Sequence, residues 1–224
     1  MSTRSTSPQL LQWRFPISRP ESDLRTAVRF CDAQGMSDQT ISRFAVPELA
    51  DMPVDIRERI EAVAERSGFV PNVFVALAAR PDEFRAFFAM HDTLMDKSEG
   101  LSKAERELIV VATSARNDCV YCVVAHGAIL RIRSKRPLLA DQVSINPFKA
   151  DLSERERLIV DFALQVAEDS RSITDDRIEQ MRSNGFMDDE IWDIGAITAF
   201  FALSNRLANF AGIPPNDEFF TMGR

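Results

Sequence analysis

Long apolar runs are missing from this chain. None approaches the roughly 18 residues that a membrane-spanning helix needs, so no bilayer crossing is expected. Cysteine is scarce, with three in 224 residues. That is a weak basis for a disulfide framework, and nothing resembles the apolar segment of a secretory signal. The expectation is a reducing compartment, the cytoplasm, where a Cys-x-x-Cys is more often catalytic or metal-binding than structural. Excess basic charge is missing as well: Lys plus Arg total 27 against 34 Asp plus Glu, a net charge of −7. An acidic chain with no basic cluster suits neither a nucleic acid nor an anionic membrane surface. Period-two alternation is also absent. Apolar residues recur at three and four positions almost throughout, so the expected class is all-α.

Residues 1–20 hold Arg4, Arg14, Arg19 and several serines but no acid, a composition shared with transit peptides and read more plainly as a disordered tail. A short helix is expected next, with Leu24, Ala27, Val28 and Cys31 on one face and Gly35 as its stop. Cys31 there is a packed apolar residue. We therefore divide the chain into an extension, 1–43, and one all-helical domain, 44–224, which is large enough to bury a substantial core.

Within that domain Ile56, Ile60, Val63 and Ala64 form a stripe ending at Gly68. "RPDEFRAFFAMHDTLMDK" opens with a proline suited to a first turn and sets Phe84, Phe87, Phe88, His91, Leu94 and Met95 on one face. His91 is expected to point inward, as a core or cleft-edge histidine. "LSKAERELIV" and "LSERERLIV" look alike, and each carries a capping box, Ser102 with Glu105 and Ser153 with Glu156. Aligning the boxes sets Glu107 opposite Leu158. A carboxylate on an apolar face costs free energy unless it finds a partner or a polar cavity. The last long segment, "DDEIWDIGAITAFFALSNRLANFAG", is apolar nearly all round and is expected to be central, with Asn205, Arg206 and Asn209 needing partners if buried.

The chemistry gathers in "NDCVYCVVAHGAIL", residues 117–130. With Asn117 and Asp118 as a cap, Cys119 falls in a first helical turn, and Cys122 and His126 follow on the same face. One unbroken helix would hold Glu107 roughly 18 Å from Cys119 at 1.5 Å rise per residue. A turn at Asn117 and Asp118 instead folds two helices together and brings Glu107 near His126. A helix N-terminus lowers a thiol pKa, a neighbouring histidine can accept the proton, and Asp118, a nearby negative charge, works to raise the thiol pKa. Cys119 is expected to be the more exposed sulfur and Cys122 the deeper one. If Cys122 attacks a peroxide, the sulfenic acid can condense with Cys119, and an outside thiol reaching Cys119 would restore the pair. Two other readings stay open at this point. Cys119, Cys122, His126 and Glu107 could form a zinc set or a redox-sensing module, although no second Cys or His pair supports it. Both cysteines could also be ordinary core residues. A thioredoxin-type site is disfavoured without strands.

Glu107, eleven residues, Cys119, two residues, Cys122, three residues, His126: this pattern resembles the signature of the alkylhydroperoxidase D-like (AhpD-like) family of the carboxymuconolactone decarboxylase superfamily. "ERELIVVATSARNDCVYCVVAHGAIL" and "LSNRLANFAGIPPNDEF" are similar to its peroxidase-related branch. The resemblance implies an all-α bundle with two related helical halves that assembles as a homo-oligomer. It implies a thiol peroxidase, needing no cofactor or metal, that acts on a hydroperoxide and draws electrons from a thiol reductant such as a lipoylated protein. The position matching Cys122 is then peroxidatic, the one matching Cys119 resolves and meets the reductant, and Glu107 and His126 match the proton relay. Tyr121 departs from the pattern, since the best-known members place a histidine there. A decarboxylase or ring-lactone enzyme using His126 and Glu107 alone is the rival on the same scaffold.

Overall fold

A computed structural model of the chain describes residues 40–224. The short helix expected around Leu24 and Cys31 lies outside these residues. Ten α-helices and three short 3₁₀ turns make up the described part, with no strand among them: α1 (Val54–Ser67), α2 (Asn72–Ala78), α3 (Pro81–Met95), α4 (Lys103–Arg116), α5 (Val120–Ser134), α6 (Leu139–Ile145), α7 (Glu154–Asp169), α8 (Asp175–Ser183), α9 (Asp188–Ala211) and α10 (Glu218–Thr221). The all-helical class is as expected. No helix among the described residues is long and apolar enough to cross a membrane.

Helix boundaries follow local chemistry. Pro81 opens α3, where its missing N–H would have had no helical partner. Gly68 and Gly212 end α1 and α9 in the left-handed region, at φ 86° and 68°. Both capping boxes form. Glu105 N–H donates to Ser102 Oγ at 3.2 Å while Ser102 N–H donates back to Glu105 Oε2 at 2.7 Å, and Ser153 with Glu156 repeats the exchange. The two related helices, α4 and α7, pack against each other. Arg155 joins their starts, reaching Glu105 at 2.7 Å and Glu190 of α9 at 2.5 Å.

The most enclosed helix is α4, not α9 alone: residues 106–114 are buried without interruption, beneath α5, α6, α7 and α9. Its burial includes Arg106, which the sequence pattern did not mark. The Arg106 guanidinium meets Asp193 at 2.9 Å and three backbone carbonyls, of Leu94, Leu101 and Glu99. A charge can sit in the interior only when paired and hydrogen-bonded in this way. At the far end of α9, Arg43 covers the C-terminus: its side chain donates to the carbonyls of Asn209 and Phe210 and its backbone to that of Ala211.

Candidate active site

The site is built where α4 turns into α5. Asn117 closes α4 and Asp118 takes φ 49°, which reverses the chain. The two helices then lie against each other, as the sequence spacing required. The cap itself differs from expectation: Cys119, not Asn117 or Asp118, is the N-cap of α5. Its Sγ accepts the N–H of Cys122 at 3.4 Å. Asn117 is occupied as the cap of the preceding helix, so the next residue able to face the free N–H groups is Cys119.

The hairpin brings Glu107 and His126 together, with His126 Nδ1 2.7 Å from Glu107 Oε2. Both side chains are largely buried. A carboxylate accepts, so Nδ1 carries the hydrogen and Nε2 is left as an acceptor. The Phe201 and His126 rings meet edge to face with 4.7 Å between centroids, which packs the imidazole against α9. Leu158, the counterpart of Glu107 in α7, packs instead against the apolar core.

Both thiols are free, and their surroundings are unlike. Cys119 is 0 % exposed, within a cluster that includes Ala208 and Ile213. Its pKa is brought down to about 7, first by the hydrogen bond from the Cys122 thiol, then by the Cys122 N–H and the Asn205 amide, against the opposing effect of burial. Cys122 is pushed well up, first because its proton is shared with Cys119, then by burial and by the negative charge on Cys119. The pair thus holds one proton and one negative charge near neutral pH. Neither sulfur is exposed, Cys119 at 0% and Cys122 at 2%, so the expected difference in exposure does not appear. Cys122 lines a cavity of about 740 Å³ and Cys119 is not among its walls, because an N-cap side chain folds back over its own first turn. That turn faces the interior here.

The cavity wall carries Cys122, His126, Glu107 and Ser204, whose Oγ lies 3.9 Å from Cys122 Sγ. Phe74, Phe84, Phe87, Phe88 and Phe201 make much of the rest. His91 is at this wall, with its Nδ1 3.1 Å from Asp92, and Arg59 holds Asp92 through both oxygens at 2.9 Å. A core or cleft-edge histidine was the expectation. Tyr121 is buried, and its Oη accepts the Val73 N–H at 3.3 Å; burial raises its pKa. Asn205, marked in the sequence only as a residue needing a partner if buried, also belongs to the site. It is fully buried, donating to Ser114 Oγ and accepting from Asn117 Nδ2, each at 2.9 Å, beside both sulfurs. Its signal was a polar residue on an otherwise apolar helix. Among the described residues no group of three or more His, Cys, Asp and Glu side chains is arranged to hold a metal ion.

Comparison with known proteins places the fold in a family. The model of the carboxymuconolactone decarboxylase family matches residues 81–137, the stretch that supplies His91, Glu107, both cysteines and His126. A solved peroxidase-related protein from Ralstonia eutropha JMP134, with an alkylhydroperoxidase AhpD core, is 62% identical with a TM-score of 0.82, over 83% of this chain and 98% of its own. Another peroxidase-related protein, from Silicibacter sp. TM1040, is 38% identical with a TM-score of 0.79, over 85% of this chain and 100% of its own. At 15% identity and a TM-score of 0.66, over 83% of this chain and 97% of its own, a debrominase shares the fold alone. No curated protein matches. At such identity over nearly the whole length of two solved relatives, the chain belongs to the AhpD-like group of the carboxymuconolactone decarboxylase superfamily.

Proposed function

We propose that this protein is a thiol-dependent peroxidase that reduces an organic hydroperoxide. The observation that carries the reading is Cys122 on the wall of an apolar cavity, with an N-capping thiol on one side of it and a histidine–carboxylate pair on the other.

The resting pair holds its charge mainly on Cys119, and the proton shared with Cys122 can move along the hydrogen bond that joins them. That transfer places the thiolate on the cavity side. Cys122 attacks the terminal oxygen of the hydroperoxide; the O–O bond breaks, and an alkoxide leaves while the sulfur becomes a sulfenic acid. His126 lies one helical turn from Cys122; its Nε2 takes up a proton from solvent and passes it to the alkoxide, with Glu107 stabilising the imidazolium in between. Cys119 then attacks the sulfenic sulfur, hydroxide departs as water after taking a proton, and a disulfide remains. In sum, one thiol, one thiolate, one proton and one hydroperoxide give a disulfide, an alcohol and water. An external dithiol, of which a lipoyl group is one example, returns two electrons. The apolar wall favours an organic hydroperoxide over hydrogen peroxide, since buried apolar surface contributes about 25 cal/mol per Å².

Stopped-flow consumption of cumene hydroperoxide tests this. Cys122→Ser should abolish the fast phase, and Cys119→Ser should keep the first oxidation but lose turnover. Unchanged rates in both variants would reject the reading. The family relationship and the cavity-facing His126–Glu107 pair favour a second reading, a decarboxylase or lactone enzyme that ignores the thiols. Turnover of a carboxylated lactone by the Cys119→Ser, Cys122→Ser double variant would select it.

A further inference from the structure

The two sulfurs differ in what can reach them. Both are buried in one cluster with Ala208 and Ile213, but Cys119 is not among the residues that line the cavity. Cys122 stands on the cavity wall. We infer that the reductant enters by the same cavity as the hydroperoxide and attacks Cys122, so that the donor is a slender dithiol able to reach into the protein. This rests on the peroxidase reading above and reverses the order implied by the family pattern, in which Cys119 meets the donor.

Exchange chemistry agrees with the geometry. A thiolate attacks one sulfur of a disulfide and expels the other, and the thiol of lower pKa leaves faster. Cys119 is the better leaving group of the two. As a thiolate it accepts the Cys122 N–H at the start of α5 and has the Asn205 amide beside it, and both donors stay in place when Cys122 is bonded to the donor. Attack at Cys119 would instead expel Cys122, whose thiolate is disfavoured by burial. The steps balance. A donor thiolate bonds to Cys122, and the Cys119–Cys122 bond breaks with its electron pair on Cys119. The donor's second thiol then attacks its own sulfur in the mixed disulfide. Cys122 is released and takes one proton, the other goes to solvent, and the donor leaves as a cyclic disulfide. Peroxide and donor therefore alternate in one cavity, each excluding the other. A dithiol lying flush on the surface of a folded protein cannot make the first contact.

The location of the mixed disulfide decides the matter. The full chain is oxidised with diamide, mixed with the monothiol 2-mercaptoethanol, quenched with acid within milliseconds and mapped by mass spectrometry. We expect the adduct on Cys122 in at least tenfold excess over Cys119. An adduct on Cys119, or equal partition, overturns the inference. Iodoacetamide on the single-cysteine variants gives an independent check. Cys122 in Cys119→Ser, freed of the neighbouring thiolate that keeps it protonated, should alkylate at least tenfold faster than Cys119 in Cys122→Ser, and the opposite order also overturns the inference. Should diamide form the disulfide while hydroperoxide does not, the peroxidase reading fails and the adduct position still stands as measured.

Discussion

His126 and Glu107, 19 positions apart in the chain, meet at 2.7 Å across the hairpin of α4 and α5. The contact gives a buried carboxylate its partner and a buried imidazole its orientation, so one hydrogen bond serves both the fold and the site. The two roles separate on substitution. Glu107→Gln can still accept from Nδ1 but no longer stabilises an imidazolium. We expect nearly unchanged thermal stability with kcat/KM for hydroperoxide down on the order of 10²-fold, within the usual range for general acid–base groups. Glu107→Leu, which copies Leu158 of the related helix, leaves Nδ1 without an acceptor and should cost about 1–3 kcal/mol in denaturant unfolding as well.

The thiol pair should titrate in one visible step. Thiolate ultraviolet absorbance is expected to rise once, centred near pH 7 for Cys119, with Cys122 still protonated at pH 9. The sign for stability follows from linkage. A pKa lowered from 9.0 to about 7 contributes stability that is fully present above 9 and is lost as pH falls through about 7. The raised pKa of Cys122 acts in the other direction, its contribution being present below 9 and lost only at higher pH. Unfolding free energy should therefore increase between pH 7 and 9, and Cys119→Ser should flatten that slope.

Asn205 ties Ser114 and Asn117 together beside both sulfurs. Asn205→Ala removes an amide that favours the thiolate, so the absorbance step should move to higher pH. Buried Ser114 also loses a partner, which should cost about 1–3 kcal/mol in denaturant unfolding. A stability loss with the step still at pH 7 would confine Asn205 to packing.

Arg106 and Lys97 both pair with Asp193, at 2.9 and 2.7 Å, yet Arg106 is fully buried and Lys97 is 40% exposed. Removing one partner of a buried pair costs about 3–5 kcal/mol, whereas exposed pairs contribute about 0–1 kcal/mol. Denaturant unfolding of Arg106→Ala and Lys97→Ala should show that ordering. Comparable losses would mean that Lys97 holds the Asp193 charge as firmly as Arg106 does.

What the sequence made legible was whatever local spacing encodes. The capping boxes at Ser102 and Ser153, the stops at Gly68 and Gly212 and the proline start at Pro81 all appear as expected. The turn after Arg116 could be read too, because Glu107 and His126 needed it in order to meet. Hidden from spacing were interactions between distant segments. Arg106 looks like an ordinary helix-surface arginine until Asp193, 87 positions on, comes to face it. The burial of Cys119 was hidden for the same reason: a cap residue's exposure depends on what covers the first turn, and here Ala208 and Ile213 pack in the same cluster. The short helices α2, α6 and α10 span seven residues or fewer, too little for a 3.6-residue period to declare itself.

The most direct measurement is the mass of the reduced protein and its tryptic peptides before and after one equivalent of cumene hydroperoxide. The account predicts loss of two hydrogens and a single Cys119–Cys122 disulfide, formed within the time that the hydroperoxide disappears. A protein whose two thiols remain free while the hydroperoxide persists would contradict it.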